Sequence, residues 1–106
     1  MQLVKQAIAF AGNNKDNVFV ISIPDYGATS FGQSNSQQIG LEIDQYNVIN
    51  KQISDSLSIP YINITPISRL AKNDPTLIAF DGLHPSGKMY NQWVELLYNQ
   101  VKASIK

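Results

Sequence analysis

VFVISI, residues 18–23, is a continuous run of β-branched and aromatic residues. A strand with one wet face would alternate apolar and polar side chains, and this run does not. It reads as a strand covered on both faces, as in a parallel sheet. Pro24 ends it, since proline cannot donate to a ladder. A second, shorter run of the same kind, IPYINIT, occupies residues 59–65. Between the two, Ile39, Ile43, Tyr46, Ile49, Ile53 and Leu57 recur every three or four residues, which predicts a long amphipathic helix. Strand, helix and strand in that order imply parallel pairing through a right-handed crossover.

The flanks add two more helices. Leu3, Val4, Ala7, Ile8 and Ala11 lie at helical spacing, with Gly12-Asn13 as a stop. The segment from about residue 87 turns Tyr90, Trp93, Val94, Leu97, Val101 and Ile105 to one side, behind Ser86 as N-cap. Ser34 and Gln37 have capping-box spacing at the start of the central helix. ISRLAKN (67–73) suits one or two helical turns. The expected class is α/β, with about two strands and three main helices. Two strands are few for a sheet, which typically has four to six. Residues 1–106 are therefore read as a single partial domain rather than a complete one.

Bulk composition narrows the function classes. Eight basic residues balance eight acidic ones and are scattered, so no field gathers nucleic acid. No apolar run approaches the roughly 20 residues needed to span a bilayer, and residues 1–12 lack a secretory cleavage pattern. The compartment is left open. The absence of cysteine excludes disulfides, thiolate metal sites and a cysteine nucleophile. One histidine among loop carboxylates does not supply a zinc ligand set, and no cofactor is implied.

That single histidine is in DGLHPS, residues 81–86. Asp81 and His84 are three residues apart in a turn relaxed by Gly82, so their side chains can converge. The carboxylate then accepts Nδ1–H and leaves Nε2 free as a base. In open α/β sheets such loops lie beyond the carboxyl ends of the strands, where ligands bind. Asp-Gly is also an ordinary turn, and D-x-x-H alone is a weak signal.

DGLHPS followed by the aromatic helix MYNQW resembles the last block of the SGNH (GDSL-type) hydrolases. VFVISIPDYGATSFG and QYNVINKQISDSLSIPYINITPISR resemble the later strand and helix regions of a bacterial branch of that family. The resemblance implies a flavodoxin-like, three-layer α/β/α fold with a parallel sheet, of which this chain is the C-terminal half. It implies a serine esterase or acylhydrolase, acting on a small ester or an acylated carbohydrate, with His84 as general base and Asp81 orienting it. In that family a backbone carbonyl can also hold the histidine, so Asp81 is less strictly implied. Asp25 and Tyr26, in the IPDYG turn, are candidates for the substrate pocket, with a purely structural role for Asp25 as the alternative. The family's Gly-Asp-Ser nucleophile block and its Asn-bearing oxyanion block are absent. The resemblance thus makes the isolated chain inactive and an N-terminal half its partner. Two rival readings stand beside it: a non-catalytic binding module, and an inactive fragment that self-associates through its sheet edges.

Overall fold

The computed structural model of the chain describes residues 2–104. In chain order the elements are α1 (Gln2–Phe10), β1 (Val20–Ile21), α2 (Ser36–Ser56), β2 (Tyr61–Ile62), α3 (Thr65–Arg69) and α4 (Gly87–Ser104), joined by short 3-10 turns. β1 and β2 pair in parallel, with Val20 opposite Tyr61 and Ile21 opposite Ile62.

The expectation of a flavodoxin-like, three-layer α/β/α fold is not met. The chain is mainly helical, and its sheet is two strands of two residues each. Side-chain hydrogen bonding explains why the apolar runs yield so little ladder. At the end of β1, the Ile23 amide leaves the sheet to donate to Asn47 Oδ1, at 2.9 Å. At the end of β2, the Ile64 and Thr65 amides donate to Ser22 Oγ, at 2.7 and 3.0 Å, where a longer ladder would use a backbone carbonyl. Thr65 Oγ1 donates to the Ile23 carbonyl and accepts from Asn47 Nδ2. This hydroxyl and amide knot satisfies buried backbone groups as fully as a ladder would, so the strands stop early.

α2 begins at Ser36, and the Ser34–Gln37 capping box does not form; Ser34 sits in a 3-10 turn and Asn35 precedes the helix without a side-chain cap. The other end is tightly specified. Ser58 takes a left-handed φ of 59°, Ser58 N donates to Asp55 O, and Ile59 N donates to Ser54 O at 2.8 Å. That pair of bonds is a Schellman motif, and it turns the chain straight into β2. The same motif closes α1, with Gly12 left-handed and Asn13 N bonded to Ile8 O.

Burial is narrower than the helical periodicities imply. On α2, Ile39 and Ile43 are buried, while Tyr46 and Ile49 on the flank are exposed. On α4 the buried residue is Met89; Tyr90 and Val94 are exposed, Trp93, Leu97 and Val101 are half-buried, and Ile105 lies outside the described residues. Two strands give each helix too little surface to cover. The buried apolar residues are Val18, Ile39, Ile43, Ile59, Ile62 and Ile64, together with a cluster in which Ala71, Leu77 and Met89 of α4 meet half-buried Ile67, Ile78 and Trp93.

Candidate active site

Residues 77–86 form a tight hairpin. Ile78 and Pro85 make an antiparallel bridge, Ala79 N donates to His84 O at 2.7 Å, and Ser86 N donates to Leu77 O at 2.9 Å. At the tip Gly82 has a φ of 75°, where a side chain would be strained. A Cβ there would also stand 2.5 Å from Ser30 Oγ and push that exposed hydroxyl aside, so the backbone conformation is what calls for glycine. Ser86 Oγ donates to Thr76 O and accepts from Met89 N, which caps α4 and fixes the hairpin's exit. The Thr76 hydroxyl, and after it Lys88 reaching back at 3.1 Å, hold the Asp74 carboxyl below its usual pKa.

Asp81 and His84 converge at the hairpin's outer end. Asp81 Oδ1 accepts the amides of Leu83 and His84, both at 2.9 Å. Its Oδ2 contacts His84 Nδ1 at 2.5 Å. Those two amides, and then the imidazole, lower the Asp81 pKa to about 2. The carboxylate is thus ionised at neutral pH, and an ionised carboxylate at Nδ1 selects the tautomer that leaves Nε2 unprotonated. The His84 side chain is 67% exposed. Leu83 and Pro85 face the core on either side of it, lining a small cavity over Met89, and His84 projects the other way.

The loop after β1 is stapled to this hairpin. Gly82 O accepts from Phe31 N at 3.2 Å and from Ser30 Oγ at 3.1 Å. Beside the staple an open cleft of about 630 Å³ is lined by Thr29, Ser30, Gln33, Ser36 and Lys72, among others. Ser30, the serine nearest the hairpin tip, therefore has its hydroxyl turned to a carbonyl. Among the described residues no serine hydroxyl hydrogen-bonds His84.

Asp25 is built into the framework. It is 8% exposed; its amide donates to Ser68 Oγ, Oδ1 accepts from Gly27 N and Oδ2 accepts from Arg69 Nε at 2.9 Å. The structural alternative fits Asp25 better than substrate binding, because its carboxylate is engaged from both sides. Tyr26, in contrast, is exposed on the rim. Arg69, which from sequence alone reads as a solvated helix residue or, less favoured, a contact for an anionic substrate, instead bridges Asp25 and Asp44, at 2.8 Å to the latter. Hydrogen bonds to the two carboxylates raise its already high pKa. Nothing local in the sequence signals this pairing, since Asp25 and Arg69 are 44 residues apart. Among the described residues no group of three His, Asp or Glu could hold a metal, and no helix is long and apolar enough to cross a membrane.

Compared with known proteins, the chain matches no family model, no curated protein and no solved structure.

Proposed function

We propose that this chain supplies the general-base half of a serine ester hydrolase, with His84 as the base and Asp81 as its orienting carboxylate. The observation that carries the reading is the Asp81 Oδ2–His84 Nδ1 contact on an exposed imidazole. A histidine kept for packing has no need of a carboxylate fixing its tautomer at the molecular surface. In the proposed reaction His84 Nε2 takes the proton of a serine hydroxyl as that oxygen attacks the ester carbonyl. The imidazolium, steadied by Asp81, then protonates the leaving alcohol, and the cycle repeats with water to release the acid. The serine and oxyanion donors belong to sequence outside residues 1–106. By resemblance to SGNH hydrolases the substrate is a small ester or an acylated carbohydrate.

The test is to co-express the chain with a Gly-Asp-Ser-bearing N-terminal segment of that family and follow p-nitrophenyl acetate hydrolysis. His84→Ala is expected to lower turnover by a factor on the order of 10⁶, as loss of a triad histidine does elsewhere. Turnover unchanged by that substitution overturns the assignment. A second reading, a binding module without hydrolysis, is favoured by the open cleft and the lack of a serine at His84. It predicts ligand binding in the cleft and no turnover with any such segment.

A further inference from the structure

β1 has one edge satisfied and one bare. Val20 N donates to Pro60 O at 3.0 Å and Ser22 N to Ile62 O at 2.9 Å, so these residues face β2. Successive residues of a strand point their amides to opposite sides, which turns the backbone groups of Phe19 and Ile21 away from β2. Neither residue's amide or carbonyl has a partner among the described residues. Ile21 is 45% exposed. The bare edge is bounded at both ends. Val18 N is held by Lys15 O, while Ile23 has its amide on Asn47 and its carbonyl on Thr65. Residues 19–21 carry no proline, no charge and no bulge, so what limits pairing along this edge is its shortness.

A row of alternating N–H and C=O groups states what covers it, because only another strand matches that spacing. We infer that the occupant is a second copy of this chain, docked antiparallel about a two-fold axis through Val20. In that register Phe19 of one copy lies opposite Ile21 of the other, twice over. The four backbone hydrogen bonds so formed use all the free groups and require none that are already engaged. Each Phe–Ile pair is an aromatic and β-branched match of the kind that stabilises neighbouring strands. A net charge of zero means that two copies do not repel as they approach. The product is a four-stranded sheet, within the usual range, with the isologous two-fold interface most common among oligomers. This surface is separate from the Asp81–His84 hairpin, and it is tested on the chain alone because the strands of the N-terminal half in the hydrolytic reading would compete for the same sheet edges.

The 106-residue chain should sediment with twice the monomer mass at the upper end of a concentration series. Ile21→Lys, which places a charge on the seam, should return it to monomer with an unchanged circular dichroism spectrum. Val94→Lys, on the exposed side of α4, should leave the dimer intact. The register is read by cross-linking, since the chain has no cysteine of its own. Val20 faces its own copy at roughly 4.5 Å between Cα atoms in a non-hydrogen-bonded pair, inside the span a disulfide bridges. Val20→Cys should therefore oxidise to a covalent dimer, and Ile21→Cys should not. A wild-type chain that stays monomeric throughout overturns the proposal, and so does a dimer that survives Ile21→Lys. Cross-linking through Ile21→Cys in place of Val20→Cys overturns the register. If Val20→Cys fails to fold, sedimentation of the wild type and Ile21→Lys still decides.

Discussion

At the residue scale the hairpin is organised around one carboxylate. Asp81 accepts two backbone amides on one oxygen and an imidazole nitrogen on the other, and its pKa falls to about 2 as a result. An ordinary unfolded aspartate titrates near roughly 3.9. The folded state therefore binds this proton less readily, and the charge adds stability at pH values above the unfolded pKa. That contribution disappears as pH falls from about 4 through about 2. Asp81→Asn keeps an oxygen for the two amides, removes the charge and sets an amide donor in place of the oxygen that faces His84 Nδ1. The melting temperature of Asp81→Asn should lie slightly below that of the wild type at neutral pH, and the gap should close between about pH 4 and pH 2. Thermal unfolding of both proteins across that range checks this, and a gap that persists in acid would show that the charge is not the cause. The pair itself was legible in the sequence because its partners are three residues apart on one turn. Asp25 was not, because its decisive partner, Arg69, arrives only when β1 and α3 come together.

At the element scale, one cation in two ion pairs ties three segments. Arg69 on α3 bonds Asp25 in the loop after β1 and Asp44 on α2, and it also touches the Gly40 carbonyl at 3.3 Å. The two carboxylates are unequal: the Asp25 side chain is 8% exposed and that of Asp44 is 56% exposed. Removing the cation leaves a desolvated charge at Asp25 and merely a solvated one at Asp44. Arg69→Met should cost about 2 kcal/mol, within the range for an abandoned buried partner discounted for the half-exposed guanidinium. Asp44→Asn should cost well under about 1 kcal/mol, as exposed pairs do. Adding Asp25→Asn to Arg69→Met should recover part of the loss. Urea denaturation of the three variants tests the ordering, and equal costs for Arg69→Met and Asp44→Asn would contradict it. The helices were readable from their periodicity, because 3.6-residue spacing is a property of the local sequence. The strand lengths were not. Ser22, Asn47 and Thr65 end them through contacts 18 to 43 residues apart.

For the molecule as a whole, sheet width is the limiting quantity. The apolar stripes of α2 and α4 are drawn for a wider surface than β1 and β2 offer, which leaves Tyr46, Ile49, Tyr90 and Val94 in solvent. The Cα radius of gyration is 15.0 Å, against about 13 Å for a compact domain of this length. α1 is the extreme case. It has nine residues and none of them is buried, with Leu3 and Phe10 both exposed. An isolated helix shorter than about 12 residues is marginal in water whatever its composition, so α1 is held mainly by its Schellman end and by half-buried Val4, Ala7 and Ile8. α2, by contrast, is anchored at both ends of its inner face, by Ile39 and Ile43 near its start and by Ser54 at its close. Local stability should follow that contrast. In native-state hydrogen exchange on dilute protein, amides of α1 should exchange almost as fast as an unfolded peptide. Those of residues 43–54 should be the slowest in the chain and should report the global unfolding free energy. Protection of α1 equal to that of α2 would mean that its exposed apolar residues are covered in solution and that the molecule is wider than its two strands.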